Sequence, residues 1–266
     1  MPQLSLSLLF CGLCSLLMSQ TSAAFSALVS PPRIEDQARS GRVYRNIIEI
    51  QNVADQATTY QIKTNDWSLD AAGGVVFSDA LAADSCRPWV GIESNQITLG
   101  AQARYRYRFE VDVPENTPAQ QCRFALMIEG EPQQVKGSPA PIAGRIGVII
   151  YLNINGAQAE LMVQSASTQT QDQHLVPMLQ VHNQGNAHGR LEGSLTATDA
   201  DGRTVQLAPS ADPILPQKTR AIALYPVMPP HAPEDAAAPQ LRAPLQLDGT
   251  LEWQGKPIPV RLSTTP

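Results

Sequence analysis

The stretch Arg104-Tyr105-Arg106-Tyr107-Arg108-Phe109-Glu110-Val111-Asp112-Val113, closed by Pro114, decides the fold class. Tyr105, Tyr107, Phe109, Val111 and Val113 share one parity, and Arg104, Arg106, Arg108, Glu110 and Asp112 share the other. A strand sends alternate side chains to opposite faces, so this segment has one buried face and one wet face. Working outward, Cys122, Phe124, Leu126 and Ile128 repeat the pattern and Gly130 closes it. Further strands are predicted over 43–52, 58–68 and 92–99, with Gly73-Gly74 as a turn. Two end strands complete the set. One carries Ser30-Pro31-Pro32-Arg33-Ile34-Glu35, the other Gly144-Arg145-Ile146-Gly147-Val148-Ile149-Ile150-Tyr151-Leu152-Asn153-Ile154. About seven short strands is the count of an immunoglobulin-like sandwich.

Asn155-Gly156 interrupts the alternation, and a second set of short strands follows over 160–165, 175–183, 189–199, 204–207, 220–225, 245–253 and 258–262. Asp201-Gly202 between two of them is a hairpin signal, because both residues tolerate positive φ. Residues 226–244 are rich in proline and alanine and read as a long exposed loop. The predicted architecture is all-β, with two immunoglobulin-like sandwich domains at 25–155 and 156–266.

Composition agrees. Of 266 residues, 43% are hydrophobic, enough for packed cores, while proline (22) and glycine (17) are plentiful and only 16% are charged. A net charge of −5 gives no electrostatic reason to expect nucleic acid as a partner. Residues 1–24 read as a secretory signal: an apolar run from Leu4 to Met18, then Thr21-Ser22-Ala23-Ala24 as small residues for cleavage near Ala24. The run lacks a preceding Lys or Arg and is short for a membrane span. Cys11 follows Phe10, a poor lipoprotein cleavage site. Cys11 and Cys14 depart with such a signal, leaving Cys86 and Cys122. In an oxidising compartment an even pair is most simply a disulfide, closing a loop that stabilises by roughly 3–4 kcal/mol.

The end strands carry a resemblance. Arg33 in the first strand, Arg145-Ile146 opening the last, Asn65-Asp66-Trp67-Ser68-Leu69-Asp70 with Gly73-Gly74, and Ser85-Cys86-Arg87-Pro88-Trp89-Val90 together resemble the PapD-like periplasmic pilus chaperones. The likeness covers the first domain closely and the second in general plan. It implies a periplasmic, non-enzymatic chaperone that captures incomplete β-sandwich subunits of pilin type by edge-strand pairing. An outer-membrane usher is a further candidate partner, and no small-molecule cofactor is implied. In that family a first-strand arginine and a lysine after the Arg-Ile pair hold the client's C-terminal carboxylate. Arg33 matches the first position. Gly147 stands at the second, so Arg145, on the same strand face, is the candidate substitute.

Each of these residues has a plainer reading beside it. Arg33 and Arg145 also fit as solvated strand-entry residues. Ile146, Val148, Ile150 and Leu152 read either as a pairing edge for the client or as inward-facing core. The approach to that strand, Pro139-Ala140-Pro141-Ile142-Ala143-Gly144, holds two prolines that cannot donate ladder hydrogen bonds. The Arg104-Arg106-Arg108 ladder fits an anionic partner or a solvent face kept soluble by charge. Asp66 and Asp70 make no convincing acid–base pair. His182 and His188 flank a turn-like Asn183-Gln184-Gly185-Asn186 without a third metal ligand. No nucleophile elbow, P-loop or dinucleotide fingerprint occurs, so neither catalytic nor metal residues are assigned. The alternative function is a structural or adhesive component of a surface assembly that keeps the fold without the loading chemistry.

Overall fold

The computed structural model describes residues 26–70, 73–132, 139–171, 174–228 and 239–265. Residues 1–24, read above as a secretory signal, and the 229–238 section of the proline-rich loop lie outside the described residues. Ten strands, β1 (Ala27–Ser30), β2 (Arg33–Ala38), β3 (Arg42–Asn52), β4 (Thr58–Leu69), β5 (Val75–Ser78), β6 (Val90–Ile92), β7 (Gln96–Leu99), β8 (Arg104–Val113), β9 (Gln120–Gly130) and β10 (Arg145–Ile154), build the N-terminal sandwich. One sheet runs β1-β3-β8-β6. The other runs β2-β10-β9-β4-β5, with β7 also on β4.

The alternation works as expected: Tyr107, Phe109, Val111 and Val113 are buried and meet Ile48, Ile50, Tyr60, Phe124, Leu126 and Ile150 between the sheets. Cys86, beside a short 3-10 turn (Arg87–Trp89), is bonded to Cys122 on β9 across a Cα–Cα distance of 5.6 Å.

Two predicted single strands are each split between the sheets. The first end strand breaks at Pro31-Pro32, where neither residue has an N–H for a ladder; β1 pairs with β3, and β2 pairs with β10. The segment over 92–99 divides at Glu93-Ser94-Asn95. There the Glu93 carboxylate accepts from Tyr105 Oη (2.7 Å) and Arg108 N (2.9 Å), turning the chain from β8 to β4.

The remaining strands are β11 (Leu161–Gln171), β12 (His174–Asn183), β13 (Leu195–Thr198), β14 (Thr204–Pro209), β15 (Thr219–Pro226), β16 (Gln246–Trp253) and β17 (Lys256–Ser263). They form one path, β11-β12-β15-β14-β13-β16-β17. β15 makes this possible by pairing with β12 over 219–223 and with β14 over 224–226. The ends of the path meet at a parallel bridge, where Thr168 N donates to Thr265 O (3.0 Å) and Thr265 N to Ala166 O (3.1 Å). The sheet thus folds on itself around Leu179, Leu195, Ile222, Leu247 and Leu251. The predicted strand over 189–199 is reduced to β13 with isolated bridges at Gly189 and Glu192, because Gly193 takes φ +96°. The architecture is all-β, two immunoglobulin-like sandwich domains.

Both domains end a central strand on a fully buried asparagine. Asn52 Nδ2 donates to the carbonyls of Gln56, Leu99 and Gly100, and Asn183 Nδ2 to those of Ala187 and Ile214. Each side chain satisfies backbone carbonyls that the neighbouring loop would otherwise bury unpaired.

Candidate functional site

The cleft between the domains is built on the outer face of the β2-β10-β9-β4 sheet. β2 runs parallel to β10 with Arg33 opposite Ile149 and Glu35 opposite Tyr151, so these four side chains share that face. Trp67, Ala125, Met127 and Tyr151 form a small core there with Leu69, Phe77 and Ile149, and Leu215 of the C-terminal domain closes it. A face that would be wet in a lone sandwich is dry here.

Beside that core lies a dense polar cluster. Arg33 Nε meets Glu35 Oε1 at 2.7 Å, and Arg190 Nη1 meets the same oxygen at 2.7 Å. His188 Nε2 lies 3.4 Å from Glu35 Oε2 and 2.9 Å from Arg190 Nη1. Gln121 Nε2 donates to His188 Nδ1 (2.8 Å) and Asn153 Oδ1 (2.6 Å), while His188 N donates to Gln121 Oε1 (3.1 Å). Nδ1 accepts from the amide, while Nε2 lies between the Arg190 donor and the Glu35 carboxylate. The ring stacks on Tyr151 with centroids 3.8 Å apart, and the Arg190 guanidinium sits 5.6 Å from Tyr151 and 6.0 Å from Trp253.

Burial alone would raise the Glu35 pKa. The hydrogen bond from His188 and the charges of His188, Arg190 and Arg33 outweigh it and bring the carboxyl down to about 2. Burial, reinforced by Arg190, pushes the His188 pKa below its ordinary value despite Glu35. The imidazole is therefore neutral at neutral pH, and there the two arginines are the charges that hold Glu35 ionised.

Arg33 is half exposed and enters this cluster. Arg145 does not: it sits on the same strand face but roughly 13 Å along β10 from Ile149, the partner of Arg33. The second anchor position is filled in another way. A Cβ on Gly147 would overlap the Phe77 ring and come within 3.1 Å of Met127 Sδ, so a lysine has no room there as the side chains stand.

Val148, Ile150 and Leu152 are fully buried between the sheets, and Ile146 is half-buried. β9 pairs along the whole of β10, whereas β2 covers only 149–154. Ile150 and Leu152 are thus interior on both sides, which corrects their assignment to a pairing edge. The edge among the described residues is 145–148, with Ile146 and Val148 on it.

The other sequence candidates have structural roles. Arg104 and Arg108 pair with Glu49 (3.3 Å) and Glu93 (3.5 Å) on an exposed face, where Arg106 has no ion pair among the described residues. Asp66 accepts from Ser85 Oγ (2.6 Å) and Ala82 N (2.9 Å), and Asp70 from Gly74 N (2.8 Å), fixing loops. His182 is a half-buried partner of Thr219. His188, which flanks the predicted turn at 183–186, is the buried centre of the cleft. Glu35, Tyr151, Arg190 and Trp253 escaped sequence reading altogether. The available signals were parity alone: Glu35 on the face of Arg33, Arg190 on that of His188.

No family model and no curated protein sequence matches the chain. Solved structures similar to it include the class 5 fimbriae chaperone CfaA, at 12% identity over 82% of this chain and 100% of that chain, TM-score 0.48. The YadV chaperone is 9% identical over 90% and 100%, TM-score 0.48. A chaperone in the CsuC–CsuE pre-assembly complex of archaic Csu pili from Acinetobacter baumannii is 13% identical over 91% and 100%, TM-score 0.47. These are likenesses at low identity, and the chain's own geometry has to carry a functional reading.

Proposed function

We propose that this chain is an exported, non-enzymatic assembly chaperone that holds a β-sandwich subunit of pilin type by pairing a client strand along residues 145–148. The observation that carries the reading is the half-open state of β10. Among the described residues its free edge ends where β2 begins, at Arg33. A client strand laid on that edge continues the line of β2, and only a strand running parallel to β10 brings its C-terminal carboxylate to Arg33. Guanidinium binds carboxylate through two parallel hydrogen bonds, which fixes direction as well as charge. The Cys86–Cys122 bond suits an oxidising compartment, and with the signal-like 1–24 segment it supports a periplasmic location, with an outer-membrane usher as the next partner in assembly.

Co-purification with a pilin-type subunit tests the reading. Wild type is expected to capture the subunit, Arg33→Ala to lose it, Arg33→Lys to recover part, and a subunit lacking its C-terminal residues to escape. Equal capture by wild type and Arg33→Ala overturns carboxylate anchoring. It would favour the second reading, a structural or adhesive component of a surface assembly, for which the Phe77 ring over Gly147 is the supporting observation.

A further inference from the structure

We infer that the carboxylate anchor is a two-arginine clamp, Arg33 with Arg190, and that Glu35 is a built-in carboxylate filling it until a client terminus takes its place. The inference rests on the proposed client binding and names a partner for Arg33 that Arg145 and Gly147 do not supply. Both guanidinium groups reach the same Glu35 oxygen at 2.7 Å, one from each domain. That is the arrangement a bound carboxylate requires, and an internal side chain provides it. The clamp opens into a pocket of about 460 Å³ lined by Arg33, Glu35, Arg190, Glu192, Ala211 and Trp253, among others. Trp253, 7% exposed, closes one side of that pocket.

Charge sets the stoichiometry. Arg33 and Arg190 face Glu35 and the exposed Glu192, and His188 adds no charge at neutral pH. The pocket is balanced as it stands. It has no place for a second carboxylate between the arginines while Glu35 remains, and the departing side chain has a route out because it is already one-third exposed. Arg190 also donates through Nε to Ala211 O (3.1 Å), which keeps it in position when Glu35 leaves. Client binding therefore exchanges one carboxylate for another across the domain boundary.

The probe is a short peptide of alternating valine and threonine with a free α-carboxylate, compared with its C-terminal amide, titrated by calorimetry and by tryptophan fluorescence. Glu35→Gln is expected to bind the acid form about tenfold or more tightly than wild type, the size of one charge-assisted contact released. The amide should show no gain. The double variant Glu35→Gln/Arg190→Gln, which removes one charge of each sign, should lose the gain, and Glu35→Ser should reproduce it; circular dichroism confirms that each is folded. Unchanged or weaker binding by both Glu35 variants overturns the clamp, as does equal tightening toward the amide. If wild type captures a whole subunit in an Arg33-dependent way while the Glu35 variants bind no tighter, the clamp fails and the chaperone reading stands. If capture ignores Arg33, the chaperone reading fails first.

Discussion

The two halves of β10 differ in company and not in composition. Residues 149–154 have β9 on one side and β2 on the other; residues 145–148 have β9 alone among the described residues. Alternating apolar residues run through both halves, so side-chain pattern does not separate them. The start of the partner strand does. Pro31-Pro32 ends β1 on one sheet and lets β2 join the other only from Arg33 onward. One strand is thereby core at its end and an open edge at its beginning, and the junction coincides with the arginine of the cleft.

The contrast can be broken most directly at Leu152, which is fully buried between the sheets. Leu152→Ala should destabilise by about 2–5 kcal/mol through lost burial and a residual cavity. Ile146→Ala, half-buried on the open half, should cost well under that while weakening client capture. Urea unfolding midpoints read the difference, and equal losses at the two positions would remove the distinction. Cys86→Ser lies in the same range, roughly 2–5 kcal/mol, since the bond ties the β5–β6 loop to β9. Mass analysis of exported protein with and without reduction should find no free thiol.

A smaller effect is expected at Gly147. Gly147→Lys places its stem against Phe77 and Met127, and overpacking of this kind costs about 1–3 kcal/mol. The double variant Gly147→Lys/Phe77→Ala removes the ring and should recover part of that stability. It also tests whether a second basic residue strengthens client capture on the open half. Capture unchanged from wild type in a folded double variant would show that the open half needs no second cation.

Much of the fold was legible because period-two alternation is local. β8 matches its predicted span and the strands of both domains fall near theirs, since each reports its own buried face. Sheet exchange was not legible: the splits at Pro31-Pro32 and at Glu93-Ser94-Asn95 depend on which neighbour accepts the chain next. The cleft was hardest to read. Glu35, Tyr151, His188 and Arg190 come from positions far apart in sequence, and pairing across a domain boundary leaves no periodic signature. Arg33 was found because its strand could be recognised; its true companions could not. The domain boundary near 155 has its own test: the 25–155 fragment should fold with its disulfide while exposing the Trp67–Met127–Tyr151 patch, which dye binding to apolar surface would detect.

The least expected effect, and the one that sharpens the comparison furthest, is its dependence on pH. The paired half of β10 is tied to the C-terminal domain through Tyr151, Asn153 and the Glu35–His188–Arg190 cluster. The open half contributes Arg145, which lies outside that cluster. His188 has a folded pKa below its unfolded value, so below about pH 6.5 the unfolded chain binds the extra proton more readily and stability falls. Glu35 has a folded pKa of about 2 against an ordinary 4.5, so its contribution is present above pH 4.5 and lost as pH falls toward 2. Urea midpoints should accordingly decline in two steps, the first below pH 6.5 and the second below pH 4.5. The second is modest, because Glu35 is one-third exposed and solvent screens its pairs. His188→Gln should flatten the first step and spare the second, whereas Glu35→Gln should remove the second. A midpoint constant from pH 7 to pH 5 in wild type would mean that His188 does not stay neutral in the cleft, and the tie between the paired half and the C-terminal domain would then have to rest on Tyr151 packing and the Arg190–Glu35 pair alone.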